Sequence, residues 1–172
     1  ATDTIAVGTT SQIVNPDGSI SLGAGFGGES GSYLGNSVSS AGDVNNDGYD
    51  DLIVSAPYTA TNAGAAYVLY GNAAGAGVNL TSGTIDASNG FRITGGASST
   101  TGFSVSGVGD INGDGYADVI VGSPGGTSSA YVLYGNSTNA GVNLSSGTIA
   151  SSDGFKLTGL SGNYLGMSVS GV

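Results

Sequence analysis

The chain has no cysteine and no histidine. Without cysteine there is no disulfide and no thiolate metal site. Without histidine the commonest general base and the usual zinc ligand are both missing. Bases are nearly absent too: Lys and Arg total 2, against 12 Asp and Glu, for a net charge of −10. Nucleic acid and anionic membrane surfaces both call for a basic face, so neither is expected as a partner. No apolar run approaches the length of a membrane span, so no membrane insertion is expected. Nothing at Ala1 reads as a signal peptide, which leaves a mature chain, a piece of a larger one or a cytosolic protein. What the chain has in excess is glycine, 34 in 172 residues, with abundant Ser, Thr and Asn. That composition suits a turn-rich all-β protein and disfavours helices.

Seven of the 12 acids fall in two short stretches, six of them at matching positions. The first is Asp43-Val44-Asn45-Asn46-Asp47-Gly48-Tyr49-Asp50-Asp51, and the second is Asp110-Ile111-Asn112-Gly113-Asp114-Gly115-Tyr116-Ala117-Asp118. Both read D-x-N-x-D-G-Y-x-D. Oxygen-bearing side chains fall at positions 1, 3, 5 and 9. The glycine at position 6 permits a sharp turn, and the carbonyl at position 7 is a natural further ligand. A hard cation such as Ca²⁺ wants six to eight oxygens, most of which a loop of this kind can supply. Crowded carboxylates repel one another unless a cation is present, so the charge pattern itself predicts metal. A plain turn with solvated carboxylates is the competing explanation, since Asp, Asn and Gly dominate turns anyway. Two copies with the same donor positions argue against it. An EF-hand is excluded because position 12 is Val54 or Val121 and the flanks read as strands. A repeat-in-toxin β-roll is excluded because tandem nine-residue Gly-Asp repeats are missing.

The loops sit inside a longer repeat. Ser37-Val38-Ser39 returns as Ser104-Val105-Ser106 and again as Ser168-Val169-Ser170, spacings of 67 and 64 residues. Asp51–Pro57 is matched by Asp118–Pro124, Ala66–Asn72 by Ala130–Asn136, and Gly90–Gly95 by Gly154–Gly159. The length difference falls between Pro57 and Tyr67, which reads as a turn, where insertions are tolerated. Each period holds four β-like runs. The second is wholly apolar and so buried on both faces. The fourth alternates, with Phe91 and Ile93 on one face. Four antiparallel strands per period describe one blade of a β-propeller. The chain divides accordingly: 1–32, an N-terminal segment that could hold an outer strand of a preceding blade; 33–95, the first blade; 96–159, the second; and 160–172, the first strand of a third. Because that third repeat is incomplete, the chain is expected to be a piece of a longer one. Several copies closing a ring together is the other possibility.

Three further features have plain explanations. Arg92 and Lys156, at equivalent outer-strand positions, are expected to be exposed solubilising residues. Tyr67, Tyr70, Tyr131 and Tyr134 are expected to pack the core and the junction between blades. The sequons Asn79-Leu80-Thr81 and Asn143-Leu144-Ser145 recur because the repeat recurs.

In this order of motifs, residues 34–57 resemble the FG-GAP repeat of integrin α-subunit-type propellers and their bacterial relatives. The likeness covers about residues 33–172. Phe-Gly is replaced by Leu34-Gly35, Thr101-Gly102 and Leu165-Gly166, and Gly-Ala-Pro by Ser55-Ala56-Pro57 and Gly122-Ser123-Pro124. The resemblance implies two structural Ca²⁺ sites, in the loop joining first and second strands of each blade. Asp43, Asn45, Asp47, the Tyr49 carbonyl and Asp51 would form one. Asp110, Asn112, Asp114, the Tyr116 carbonyl and Asp118 would form the other.

The function this implies is a calcium-binding, non-catalytic propeller segment of a secreted or cell-surface protein, serving adhesion. Its partners would be a protein or carbohydrate ligand and further blades, from the same chain or other copies. Two other classes fit the composition: the accessory propeller of a calcium-dependent extracellular polysaccharide lyase, hydrolase or lipase, and a subunit of a surface layer or filament. Against an enzyme, the carboxylates outside the metal positions (Asp3, Asp17, Glu29, Asp50, Asp86, Asp153) form no acid–base pair pattern.

Overall fold

Val, Ile, Tyr and Thr cluster in short runs separated by Gly, Asn and Asp, and those runs become strands. The computed structural model describes residues 31–72, 78, 80, 82–138 and 140–171. The N-terminal segment expected over 1–32 lies outside them save for its last two residues. The first sheet contains β1 (Val38–Gly42), β2 (Asp51–Ala56), β3 (Ala65–Leu69) and β4 (Gly90–Thr94), in that spatial order. The second contains β5 (Val105–Gly109), β6 (Asp118–Ser123), β7 (Ser129–Leu133) and β9 (Gly154–Thr158). Within each of these four-strand sets every neighbouring pair is antiparallel, and the registers match: Val54 faces Tyr67 as Val121 faces Tyr131. The described residues are all-β in their organisation, and the longer of the two corresponding turns is filled by a tight coil at Thr59–Asn62 with positive φ at Ala60, Thr61 and Asn62.

One strand has no counterpart in the sequence argument. Val142–Asn143, in the second repeat, forms β8 and pairs parallel with β4 of the first, Ile93 opposite Val142. The β4 edge is therefore covered by the neighbouring repeat, as an exposed sheet edge must be to resist unwanted pairing. No alternation of residue types marks two residues as a strand; only the arrival of β4 beside them does.

The core lies between the sheets. Ile53, Ala66, Val68, Phe91 and Ile93 of the first sheet pack in one buried cluster with Val119, Val121, Tyr131 and Leu133 of the second, joined by Leu144. Val54, Ala56, Ala65, Tyr67 and Leu69, on the other face of the first sheet, form a second cluster with Val78 and Leu80. The period-two alternation of a strand assigns neighbouring residues to opposite clusters. Side chains also tie one repeat's first strand to the next. Asn36 Nδ2 donates to the Phe103 carbonyl (2.9 Å), and Val105 N–H donates to Ser37 Oγ (3.2 Å). Ser104 Oγ and Gly166 continue the pattern into the third repeat (2.9 Å).

Arg92 and Lys156 are not the exposed solubilising residues expected of them. Both are half-buried. Arg92 Nη1 donates to the Gly83 carbonyl (3.0 Å) with its guanidinium over Tyr67, and Lys156 Nζ donates to the Gly147 carbonyl (3.0 Å) over Tyr131. Gly83 and Gly147 lie on the chain leading into each fourth strand. The two bases therefore bracket that connection, through a cation–π contact and a charge-assisted hydrogen bond. Tyr67, Tyr70 and Tyr131 are buried as expected, whereas Tyr134 is only half-buried, with its ring against Phe155.

Candidate metal centre

Each D-x-N-x-D-G-Y-x-D stretch bridges the first and second strands of its sheet. A bulge closes the first strand, between Ser40 and Gly42 and again between Gly107 and Gly109, and turns the chain into the loop. The position-six glycines, Gly48 and Gly115, sit at φ 92° and 93°, where a side chain would be strained.

Inside the loops the side chains fold back onto the backbone. Asp43 Oδ1 accepts from Asp47 N–H (3.0 Å) and its Oδ2 from Gly48 N–H (2.8 Å). Asn45 Oδ1 also accepts from Asp47 N–H (3.1 Å), while its Nδ2 donates to Asp47 Oδ2 (2.9 Å). Asp47 Oδ1 accepts from Tyr49 N–H (3.0 Å). The second loop repeats these bonds through Asp110, Asn112, Asp114 and Tyr116, and adds Gly113 N–H on Asp110 Oδ1 (2.7 Å). These amides, Gly115 foremost, hold the Asp110 carboxyl below the usual carboxylate range.

The position-nine acids are set apart. Asp51 and Asp118 begin the second strands and are buried, 1% and 0% exposed. Asp51 Oδ2 accepts from Val44 N–H and its Oδ1 from Gly71 N–H (both 2.9 Å). Asp118 does the same with Ile111 and Gly135 (both 2.9 Å). Burial pushes the Asp51 carboxyl up to about 6. The Gly71 and Val44 amides oppose that rise, and the charges of Asp47 and Asp43 add to it. Asp118 is raised for the same first reason, with Asp114 and Asp110 as its acidic neighbours. The nearby phenol of Tyr70 is raised as well, by burial and then by Asp51 and Asp47.

The sequence-predicted residues are thus brought together unequally. Positions one, three and five are knitted into one turn. Position nine is buried beside them and close enough to feel their charge. Among the described residues no three acidic side chains gather tightly enough to form a ready-made metal cluster. A cation would compete with backbone amides for the Asp43 and Asp47 oxygens. The donor set nonetheless fits a hard cation, being oxygen throughout. So does the charge balance. The chain's two bases are engaged at Gly83 and Gly147, so no cationic side chain faces either buried carboxylate.

Sequence reasoning missed the amide straps from Gly71 and Gly135. These glycines follow the third strands, and only the sheet register brings them to the carboxylates. Gly135 also lies against the Val44 carbonyl of the neighbouring repeat. Ala117 N–H donates to the Asp43 carbonyl (2.9 Å), so the two loops touch across the junction between sheets.

Comparison with known proteins agrees with this arrangement of repeats. The FG-GAP repeat model matches residues 34–69 and 101–141, each match spanning a loop and the strands around it. Among similar proteins, Integrin alpha pat-2 of Caenorhabditis briggsae is 42% identical over 91 residues, 52% of this chain and 7% of that protein. Integrin alpha-3 of Cricetulus griseus is 33% identical over 145 residues, 82% of this chain and 13% of that protein. Integrin alpha-6 of Gallus gallus is 35% identical over 133 residues, 75% and 11% respectively. The chain therefore spans only about a tenth of the length of these relatives. Among the described residues no helix is long and apolar enough to cross a membrane.

Proposed function

The chain carries FG-GAP repeats and is similar to integrin α subunits, and from that premise we propose that it is a calcium-stabilised, non-catalytic segment of a β-propeller. It would belong to a secreted or cell-surface protein and serve adhesion to a protein or carbohydrate ligand. The single observation that carries the calcium part is the pair of buried, equivalently placed carboxylates, Asp51 and Asp118, each beside further acids and without a cationic side chain. An isolated buried carboxylate is costly, and a bound cation removes the cost. Asp43, Asn45, Asp47, the Tyr49 carbonyl and Asp51 would hold one ion. Asp110, Asn112, Asp114, the Tyr116 carbonyl and Asp118 would hold the second. The ion supplies positive charge and a fixed pin for the turn between first and second strands. The side chains hold the loop ready for it through the amide bonds described above.

The propeller part rests on how the two ends of the sheet pair differ. Val38, in β1, is 52% exposed, whereas its equivalent Val105, covered by the first sheet, is 4% exposed. At the opposite end Leu157 is 42% exposed, whereas its equivalent Ile93 is fully buried by the second sheet. Each end thus presents the apolar surface that its counterpart buries inside the pair. A further blade of the same kind is the occupant that fits both ends.

Calorimetric melting tests the metal reading. A ligand at about 100 times its Kd stabilises by about 2.7 kcal/mol per site. The calcium-loaded chain should melt at lower temperature after chelation and recover when Ca²⁺ is returned. Asp47→Ala and Asp114→Ala should each imitate the loss of one ion. An unchanged melting temperature on chelation would refute the reading.

A further inference from the structure

The bond between the loops does more than hold two sheets together. The Tyr116–Ala117 peptide is one rigid, trans plane, as are all the described peptides. At one end is the Tyr116 carbonyl, a donor of the second proposed site. At the other is the Ala117 N–H, which donates to the Asp43 carbonyl (2.9 Å). The Asp43 carbonyl belongs to a second plane, whose other end is the Val44 N–H. That N–H donates to Asp51 Oδ2 (2.9 Å), and Asp51 is a donor of the first proposed site. Two peptide planes and two hydrogen bonds thus run without a gap from one site to the other. Val44 and Asp51 are each 1% exposed, so this end of the path is shielded from water. Gly135 closes it in: a Cβ there would come within 2.4 Å of the Ala117 carbonyl oxygen and 2.7 Å of that of Val44. Those carbonyls belong to the peptide that follows each plane in the chain, so the packing of Gly135 flanks the path on both sides.

The geometry points to positive coupling between the two calcium sites through this relay, an inference that rests on the calcium reading above. Binding at the second site fixes the Tyr116 carbonyl, and with it the Ala117 N–H. That holds the Asp43–Val44 plane, which sets Asp51 for the first site. The ordering needed by the second ion is then already in place. A polarised carbonyl also makes its own N–H a better donor, so the bonds along the path strengthen together. Simple charge works in the opposite sense, because filling one loop weakens the negative field at the other. The sign of the coupling therefore separates the relay from electrostatics.

The test is titration calorimetry of the 172-residue chain with Ca²⁺, in about 0.15 M KCl to screen the loop charges. Asp114→Ala reports the first site alone, and Asp47→Ala reports the second. The overall constant for binding two ions should exceed the product of these single-site constants by about fivefold or more, within the range of ordinary allosteric coupling. Ala117→Pro removes the donor N–H and should bring that ratio back to about one with both ions still bound. Where proline disturbs β6, an ester in place of the Ala117 amide removes the same N–H and keeps the side chain. A wild-type ratio of one or below, with two ions bound, overturns the relay and leaves the calcium reading intact. A wild-type chain that binds no calcium overturns both.

Discussion

The most exacting consequence of the buried carboxylates concerns pH in the absence of metal. Most carboxylates in folded proteins lose stability contributions on acidification, but Asp51 should do the reverse. Its folded-state pKa is about 6, against 3.8 for the free side chain, because burial penalises the charged form. A group raised in the folded state contributes stability that is complete below the unfolded pKa and is lost as pH rises through the folded one. At about 1.36 kcal/mol per pKa unit, ionised Asp51 costs the metal-free fold about 3 kcal/mol at neutral pH. Acidifying from about pH 7 to about pH 5 protonates most of it in the folded chain and little in the unfolded chain. That step should return about 1.3 kcal/mol. Asp118, shifted the same way, adds to the gain. Asp110, shifted downward, acts only at lower pH, below its unfolded pKa. For a chain of this size the gain corresponds to a melting temperature higher by about 3–5 °C. The assay is a series of calorimetric melts of chelator-treated protein across that window. With Ca²⁺ bound the trend should invert, because protons then compete with the ion. A metal-free chain whose stability is flat or falls on acidification from about pH 7 to about pH 5 would show that the buried carboxylates are not the electrostatic liability described.

The packing makes two further predictions. Gly135→Ala should destabilise the chain by about 1–3 kcal/mol in denaturant melts, because a Cβ there has no space beside the Ala117 and Val44 carbonyls; a neutral result would mean that the junction between loops is looser than described. Ile93→Ala should cost about 2–5 kcal/mol, as expected for a fully buried side chain. The equivalent change Leu157→Ala, on a half-open face, should cost well under half as much in the isolated chain, and equal losses would contradict the one-sided burial of the second sheet.

Much of this molecule was legible in its sequence. The spacing of Ser37, Ser104 and Ser168 gave the repeat, and the apolar runs at Leu52–Val54 and Val119–Val121 gave the buried second strands. Those properties are local, since a strand's alternation and a turn's glycine act over a few residues. The recurrence of D-x-N-x-D-G-Y-x-D likewise located the loops and their oxygen donors. It could not say that Asp51 and Asp118 would be sealed away while Asp43 and Asp110 stayed near water. Nor could it say that Arg92 and Lys156 would turn inward over tyrosines. Burial depends on what arrives from elsewhere in the chain, and the pattern of a single strand does not encode its neighbour. The short strand β8, the amide straps from Gly71 and Gly135, and the Ala117–Asp43 bond between the loops all join residues far apart in sequence. The sequence by itself determined which residues repeat and which carry oxygen. Only the tertiary structure decided which of those oxygens are buried, and that a hydrogen bond between the sheets links one loop to the next.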